Sequence, residues 1–477
     1  MIPTVDYIRI LPELVLSVFG ILAMMVDPVL PPHSSNRRIG VFALFGVLAG
    51  LIATAYQAEY YGDAFFDMVR VDRFSIFFHV VILLVALVVV LSSFDYLEVQ
   101  RIKSGEYYAL ILFGVVGMML MTSAIELVLI FIALEISSIS TYILAGFRRR
   151  AAESAESSLK YFLLGSFATA FFLYGVAMVF GATGTTNVYR IAEVLTTQHS
   201  VVVYLAVALM FVGLGFKVAS APFHVWTPDV YEGAPAPVVG LMSTGPKAAA
   251  FAVLLRVLFA TGAPGWFWMV WISAVLSMTI GNIGALVQNN VKRLLAYSSI
   301  AHAGYLLVAF AAAQTTGISA AIFYAASYAA MNVGAFAIVA HLSGRGERYV
   351  TLEDYTGLGR RSPMIAATLT IFLISLIGIP LTGGFFAKFY VFSAALQSNL
   401  VGLTIIGVIN SAIAAYYYLR VIVYMYMSDE RIEAPVARMP ASLGSAVAIS
   451  LIATIYLGVL PNRVLTNAIR AAQDLVR

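Results

Sequence analysis

Four ionisable side chains lie inside long apolar runs of this sequence, and together they could carry protons: Glu135, Lys217, Lys247 and Lys388. A charge inside a lipid bilayer is costly, so intramembrane acids and bases usually face the interior of a helix bundle and serve a function. A buried lysine releases or holds its proton according to its neighbours, above all a nearby carboxylate. These residues therefore predict a proton relay. The alternatives are a protonated Glu135 in a structural hydrogen bond, and a Lys217 that extends to the membrane surface.

Four further residues are included in the predicted relay, although each also has a simpler explanation. His302 is central in its apolar run and titrates near neutrality, but a lone histidine is often a satisfied core residue. Lys292 could line a channel or anchor a helix at the interface. Glu156 and Lys160 have the i, i+4 spacing of an exposed helix pair.

Three more charged residues lie near the ends of apolar runs. Glu13 follows a proline near a membrane interface, where we expect a structural role. Arg256 and Arg420 are expected to extend their guanidinium groups to the membrane surface.

The composition excludes several classes of protein. Of the 477 residues, 61% are hydrophobic and 11% are charged, whereas charged residues make up about a quarter of a soluble protein. Cysteine is absent, which excludes disulfides, thiolate metal sites and iron–sulfur clusters. The histidines have no i, i+3 or i, i+4 pair for a metal, so we expect no cofactor on this chain. The sequence has no acidic or basic tail of the kind that would suggest a nucleic-acid partner. The six histidines are His33, His79, His199, His224, His302 and His341.

The apolar runs predict an all-α membrane protein with about fourteen transmembrane helices in one membrane domain. Residues 1–106 hold three spans, residues 107–260 and 266–427 hold five each, and residues 428–477 hold the last span and a tail. The predicted spans are 8–26, 39–56, 74–94, 107–122, 125–146, 159–182, 201–222, 236–259, 266–287, 293–312, 318–341, 363–397, 402–427 and 443–460.

The basic residues between the spans predict the orientation of the chain. Fifteen Lys and Arg residues lie in the loops on one side, and seven lie on the side that includes both termini. By the positive-inside rule the first side is cytoplasmic, so both termini are expected on the outer, periplasmic side of a bacterial inner membrane. The cytoplasmic set is Arg37, Arg38, Arg101, Lys103, Arg148, Arg149, Arg150, Lys292, Arg293, Arg345, Arg348, Arg360, Arg361, Arg431 and Arg438, and the outer set is Arg9, Arg70, Arg73, Arg190, Arg463, Arg470 and Arg477.

Spans 7 and 12 are predicted to be interrupted. As one helix, span 12 would be about 50 Å long, against a hydrocarbon core of about 30 Å, and residues 379–384 (IPLTGG) can break it. Ser220, Ala221 and Pro222 interrupt span 7 in the same way. Each break lies near a lysine, and the two lysines are 171 positions apart, which suggests that spans 4 to 8 are repeated as spans 9 to 13. Because each copy has an odd number of spans, the second is expected to be inverted, with the broken helices marking a transport path.

The segment 222–237 (PFHVWTPDVYEGAPAP) suits a rigid interfacial loop, but that explanation does not account for the order of its residues. Together with 213–217 (GLGFK) and 245–247 (GPK), it resembles the antiporter-like membrane subunits of bacterial NADH:quinone oxidoreductase, respiratory complex I, in particular the subunit N family. Further matching stretches are 11–14 (LPEL), 159–165 (LKYFLLG), 292–302 (KRLLAYSSIAH) and 380–389 (PLTGGFFAKF).

This resemblance implies one proton path through two inverted five-helix units. It implies that Glu135 and Lys217 act as a coupled pair, that Lys247 is the central relay group and that Lys388 is the exit group. The membrane subunits M and K are the implied neighbours, and NADH, FMN, iron–sulfur clusters and quinone are expected on other subunits. Lys388 argues against subunit M, which tends to have Glu there, and the chain's end soon after residue 460 argues against subunit L, which has a lateral helix.

Two other functions remain open from the sequence. One is a subunit of a multi-chain sodium/proton antiporter or of a membrane-bound hydrogenase, and the other is a structural subunit between proton pumps. The position in span 13 that corresponds to Lys247 falls near Asn410 and Ser411, so water or polar side chains would have to carry a proton there.

Overall fold

The computed structural model describes residues 3–29, 35–102, 105–197, 201–261, 265–312, 315–428 and 438–476. Lys103, Arg431 and Arg477, which contribute to the predicted orientation, lie outside these residues, as do His33 and His199. Nearly all of the described chain is helical. The N-terminal part contains α1 (Thr4–Arg9), α2 (Leu11–Val26), α3 (Ser35–Gln57), the strands β1 (Gly62–Ala64) and β2 (Val69–Val71), and α4 (Arg73–Val99).

The rest of the chain consists of helices joined by short connections. The first five predicted spans of the repeat region correspond to α5 (Glu106–Ser123), α6 (Leu127–Ala145), α7 (Ala152–Thr183), α8 (Val188–Thr197), α9 (Val201–Val218), α10 (Thr227–Gly233), α11 (Ala236–Met242) and α12 (Gly245–Thr261). The next five correspond to α13 (Trp266–Leu286), α14 (Val291–Ala311), α15 (Thr315–Leu342), α16 (Leu358–Arg361), α17 (Pro363–Ile377), α18 (Gly383–Gln397) and α19 (Val401–Met427), which are followed by α20 (Ala441–Val459) and α21 (Pro461–Val476).

Thirteen helical segments of the described chain are long and apolar enough to cross a membrane. The fourteenth predicted span is the pair α17 and α18, of 15 residues each. A helix of that length is about 22 Å long, too short to cross a hydrocarbon core of about 30 Å alone. The predicted all-α membrane fold is confirmed, and a small antiparallel hairpin of β1 and β2 adds to it. The inverted relation between the two five-span units stays a prediction.

Both predicted interruptions are present. Helix α9 ends at Val218, and the turns that follow contain Ala219 with a φ of +58° before α10 begins. Helix α17 ends at Ile377, the Gly378 that follows has a φ of +92°, and Leu381 has a φ of +71°. At Gly384 a Cβ would lie 1.8 Å from the carbonyl oxygen of Ser375, so only glycine permits this approach of α18 to α17.

Two further features, both in helical parts of the chain, were not predicted from the sequence. Residues 243 and 244 form a turn that divides span 8 into α11 and α12. The tail after the last span forms α21, whose buried residues Ala468, Ala471, Ala472 and Leu475 follow helical spacing. Helix α21 packs against α4 and α15.

Both termini lie at the same end of the helix bundle. The backbone N–H of Phe65, in the hairpin loop, donates to Asp6 of α1 at 3.0 Å. The hairpin leads directly into α4, where the backbone N–H of Arg73 donates to Asp474 of α21 at 3.1 Å. This common end is called the terminal side below.

Candidate functional site

Lys217 lies in the last turn of α9, directly before the first break. Its Nζ donates to the Ser138 hydroxyl at 2.9 Å and lies 3.5 Å from the Tyr161 hydroxyl. Ser138 is three residues after Glu135 on α6, so the two side chains lie on one helix face. The Oε1 of Glu135 is buried and has no hydrogen-bond partner within the described chain. Glu135 and Lys217 are thus neighbours, but no ion pair within 4.0 Å joins these two described residues.

Polar side chains satisfy the backbone groups that the first break leaves without helical partners. The indole Nε1 of Trp226 donates to the carbonyl of Phe216 at 3.0 Å. On α13, the hydroxyl of Ser277 accepts from the backbone N–H of Ala221 at 2.7 Å, and the hydroxyl of Ser273 donates to its carbonyl at 2.7 Å. These bonds hold the interrupted segment inside the bundle, where an unpaired backbone group would be costly.

Lys247 lies one turn after the break between α11 and α12 and is 2% exposed. Its Nζ donates to the hydroxyl of Ser299 at 2.5 Å and to its carbonyl at 3.2 Å. The same Ser299 hydroxyl accepts from Tyr328 at 2.8 Å. A small cavity lies between Lys247 and His302, and the centre of a water-sized sphere can move through about 10 Å³ of it. That is about the room one water molecule needs.

His302 is central in α14 and is bound on both ring nitrogens. Its Nδ1 lies 2.6 Å from the Tyr324 hydroxyl, and its Nε2 lies 3.3 Å from the Tyr418 hydroxyl. Tyr418 is also hydrogen-bonded to Ser298, one turn before the histidine. His302 is therefore part of a chain of groups that can both donate and accept hydrogen bonds.

Lys388 lies in α18, one to two turns after the second break. Its Nζ donates to the carbonyls of Leu376 and Ile377 at 3.1 and 2.8 Å and to the hydroxyl of Ser411 at 2.9 Å. It also lies 4.8 Å from the ring centre of Tyr305. The two carbonyls are free for this bond because α17 ends at Ile377.

The position of α19 that corresponds to Lys247 in the predicted repeat has no lysine. Asparagine and tyrosine side chains surround it instead. The amide of Asn282 donates to the Tyr305 hydroxyl at 3.2 Å and to Asn410 Oδ1 at 3.2 Å. Tyr417 donates to Asn282 Oδ1 at 3.1 Å. The polar side chains expected at this position are present, and they extend to the ring beside Lys388.

Tyr231 was not singled out from the sequence, although it lies between two of the lysines. Its hydroxyl is buried and has no hydrogen-bond partner within the described residues. The Nζ of Lys247 lies 6.0 Å from the centre of its ring, and Trp226 packs against it at 6.0 Å. Trp226 in turn stacks on Tyr161, which Lys217 contacts, at 4.4 Å. Aromatic rings therefore fill the space between Lys217 and Lys247.

Lys160 and Glu156 belong to a charged network at the surface of the bundle. Lys160 lies 2.7 Å from Glu156, as the i, i+4 spacing predicts, and also 2.7 Å from Asp229 in α10. Arg293 pairs with Asp229 at 2.8 Å and with Glu232 at 2.7 Å. Asp229 and Glu232 belong to the segment 222–237, and neither was predicted to take part in a site. Their neighbours Pro228, Gly233 and Pro235 were the only sequence feature that set them apart.

Lys292 is 1% exposed and is fully bound. Its Nζ donates to Glu347 at 2.6 Å and to the carbonyls of Glu232 and Ala234 at 2.8 and 2.7 Å. Arg148 lies 3.4 Å from the same Glu347 carboxylate. The lysine therefore ties the connection between α10 and α11 to α14. Glu347 lies in a loop without any pattern that could have identified it.

The expectation that Arg256 extends to the membrane surface is wrong. Its guanidinium is buried and pairs with Asp72, with an N–O distance of 3.0 Å. It also donates to the carbonyl of Thr122 at 3.0 Å and to the Tyr189 hydroxyl at 3.2 Å. Asp72, whose carboxylate pairs with the guanidinium, is 184 positions away in the chain. The position of Arg256 in the sequence therefore could not reveal this partner. Arg420 is partly buried and donates to the carbonyls of Leu286 and Gln288 at the end of α13.

Comparisons with known proteins agree with this architecture. The family described as NADH:quinone oxidoreductase/Mrp antiporter, transmembrane, matches residues 124–414. NADH-quinone oxidoreductase subunit N 2 of Koribacter versatilis is 71% identical over 100% of this chain and 99% of its own length. Subunit N 1 of Solibacter usitatus is 49% identical over 98% of each chain. A chain of respiratory complex I from Thermus thermophilus, solved with bound aureothin, is 36% identical with a TM-score of 0.83 over 95% of this chain and 98% of its own.

The helical fold and the buried lysines at its breaks define an antiporter-like membrane subunit. The chain belongs to the subunit N family of NADH-quinone oxidoreductase.

Proposed function

We propose that this chain moves protons across the bacterial inner membrane as a subunit of NADH:quinone oxidoreductase. In this assignment it binds no redox cofactor, and quinone reduction on other subunits supplies the energy. The identities of 71% and 49% to two subunit N proteins support this assignment over a sodium/proton antiporter or a hydrogenase. Subunits M and K are the proposed neighbours in the membrane.

The single observation that carries the proposal is the environment of three lysines. Lys217, Lys247 and Lys388 are 3%, 2% and 6% exposed. Within the described chain, no carboxylate lies within 4.0 Å of any of them, and their partners are hydroxyl and carbonyl oxygens. A permanent buried cation normally requires a counter-ion. A lysine without one can lose its proton and regain it as neighbouring charges change.

Glu135 and Lys217 are proposed to act as a coupled pair. Two unit charges about 4 Å apart interact by about 4 kcal/mol at an effective dielectric of 20. Moving one charge against 100 mV requires about 2.3 kcal/mol. The Nζ of Lys217 and the carboxyl oxygens of Glu135 are more than 4.0 Å apart in the present arrangement. A side-chain movement that brings them into contact would therefore change the proton affinity of Lys217 by enough to drive transfer.

The proposed path continues from Lys217 past Tyr231 to Lys247 and then to His302. From there the tyrosines and Asn282 lead to Lys388, the proposed exit group. The surface network around Glu156 and Lys160 is proposed as the cytoplasmic entrance. Lys292 remains a predicted relay group, but its contacts with Glu347 favour a role in holding the α10–α11 connection.

The replacement Lys247→Met in the assembled complex tests this proposal. We expect the number of protons pumped per NADH oxidised to fall. Phe251→Met is a matched control, because Phe251 lines the same cavity one turn further along α12 but carries no proton. Proton pumping in reconstituted vesicles, with assembly checked by native electrophoresis, measures both. Full pumping stoichiometry in Lys247→Met would contradict the proposal.

A further inference from the structure

A second buried acid–base pair lies among the N-terminal helices, outside the lysine path and outside the region 124–414 that matches the family. Glu13 in α2 is 3% exposed, and His79 in α4 is fully buried. Glu13 Oε1 lies 3.5 Å from His79 Nε2. Neither carboxyl oxygen of Glu13 has a hydrogen-bond partner in the described part of the chain. A carboxylate in such surroundings is costly unless a proton or a cation accompanies it.

The contacts of His79 determine which ring nitrogen can take up a proton. Its Nε2 lies 3.1 Å from the carbonyl of Met119 and 2.9 Å from the hydroxyl of Ser123. Because a carbonyl only accepts hydrogen bonds, Nε2 carries a hydrogen. The other nitrogen, Nδ1, is buried and has no partner among the described residues. Nδ1 is therefore the open position for a further proton.

The charged groups around the pair compensate each other. Of the charged side chains on the elements packed against the pair, Asp72, at the start of α4, and Arg256 in α12 are the ones that act on His79. They form an ion pair with an N–O distance of 3.0 Å and so add no net charge. Arg256 also binds the carbonyl of Thr122, next to Ser123. Glu13 and His79 together must therefore hold one dissociable proton to be neutral.

The pair lies close to the terminal side of the bundle. Arg9 is one helical turn before Glu13, and its guanidinium donates to the carbonyl of Asp63 in the hairpin at 2.6 Å. The buried Gln57 donates to the backbone carbonyl of Arg9 at 2.5 Å, and its own Oε1 has no partner within the described residues. Polar groups thus connect the surface hairpin to the level of Glu13.

We propose that Glu13 and His79 form a second proton-binding site, which exchanges protons with the aqueous phase on the terminal side. In one state the proton is on the Glu13 carboxyl group and the imidazole is neutral. In the other, Glu13 has released its proton to the terminal side with its O–H bond broken, Nδ1 of His79 has taken up a proton from that side, and the carboxylate faces the Nε2–H of the imidazolium. Loss of the proton to the terminal side leaves a negative charge near Arg256, on the helix that also carries Lys247.

Infrared titration of the purified complex tests this site without turnover, so its outcome is independent of the lysine path. The carbonyl stretch of a protonated buried carboxyl group is followed as pH is raised. We expect one such band to be absent in the complex with Glu13→Gln. We expect it to remain but to titrate at a different pH in the complex with His79→Gln, whose amide can still donate to Met119.

Glu98→Gln is the matched control, because Glu98 is an exposed carboxylate at the opposite end of α4. The band should be unchanged in that complex. A band that persists in Glu13→Gln would overturn the proposal. If Glu13→Gln does not assemble, His79→Gln decides the question, since an unchanged titration of the band in that complex would equally contradict a shared proton.

Discussion

At the scale of single residues, the buried cations of this chain divide into two groups according to their partners. Arg256 and Lys292 are paired with carboxylates at 3.0 and 2.6 Å. Lys217, Lys247 and Lys388 have only neutral oxygen atoms as partners within the described residues. A paired buried charge stays charged and holds structure, whereas an unpaired one is available for proton transfer. Burial alone does not separate the two groups.

Removing the charge of Asp72 should destabilise the assembled protein strongly. Asp72→Asn keeps an acceptor for the start of α4, where Asp72 accepts from the backbone N–H of Ser75 at 2.7 Å. It leaves Arg256 buried without its counter-ion, which costs about 3–5 kcal/mol. Thermal unfolding of the purified complex measures this loss. Asp67→Asn, in the exposed pair with Arg190, is the control and should cost less than about 1 kcal/mol.

Glu347 should make part of the stability dependent on acid pH. Burial would raise the pKa of this carboxyl, but Lys292 and Arg148 lower it below its ordinary value of 4.5. A carboxyl group whose pKa is lower in the folded than in the unfolded state stabilises the fold at pH values above the unfolded-state pKa. This contribution is lost as pH falls through the folded-state pKa. We therefore expect the unfolding temperature of the wild-type complex to decrease below about pH 4.5. In Glu347→Gln it should be lower at neutral pH and depend less on pH in this range, and an identical pH profile would contradict this assignment.

At the scale of helices, the breaks place backbone carbonyls where a lysine can use them. Lys388 binds the carbonyls of Leu376 and Ile377, which are exposed because α17 stops there. The geometry depends on the close approach of α18 to α17 at Gly384. Span 7 is held in a comparable way by Trp226 and the serines of α13. The second break therefore provides hydrogen-bond partners for Lys388 as well as ending a helix.

Gly384→Ala should disturb this arrangement. The added methyl group would lie 1.8 Å from the carbonyl oxygen of Ser375, so α18 must move away from α17. Overpacking of this kind costs about 1–3 kcal/mol, and Lys388 would lose at least one carbonyl partner. We expect reduced proton pumping with some loss of assembly. Gly402→Ala is the control, since no atom lies within 4 Å of its added Cβ; equal pumping by the two variants would count against a role for the break.

At the scale of the whole molecule, both chain termini lie on one side, because α1 meets the hairpin and α21 meets the start of α4, which follows the hairpin directly. The distribution of basic residues predicts that this terminal side faces outward. The structure contains no membrane, so the side that faces outward stays a prediction. It follows that the network of Lys160 and Asp229 would face the cytoplasm.

Cysteine labelling can determine the orientation, because this chain contains no cysteine and only an introduced one can be labelled on it. We expect Glu59→Cys, near the hairpin, to react with a membrane-impermeant maleimide in whole cells that have a permeable outer membrane. Arg150→Cys, in the loop after α6, should react only after the inner membrane is opened. Both side chains are exposed, so a difference in labelling reports the side of the membrane. The reverse pattern would invert the predicted topology.

The sequence by itself determined the membrane fold, the positions of both predicted breaks and the placement of the four central ionisable residues within apolar helices. These properties are local, because hydrophobic runs, prolines and glycines act within one or two helical turns. The turn before Lys247 was not predicted, although Gly245 and Pro246, which follow it directly, are strong helix breakers. Span 8 is apolar throughout and was therefore interpreted as one continuous helix. The helical tail α21 was also missed, since an amphipathic pattern of alanines is a weaker signal than an apolar run.

Only the tertiary structure decided which charged residues are paired. Asp72 and Arg256 are separated by 184 positions, and Lys292 and Glu347 by 55. Hydropathy tells how deep a residue lies but not which side chain from another helix lies beside it. The difference between Arg256, which was expected at the surface, and Lys247 therefore depends on helix packing. That packing brings a carboxylate to the arginine and only hydroxyl and carbonyl oxygens to the lysine.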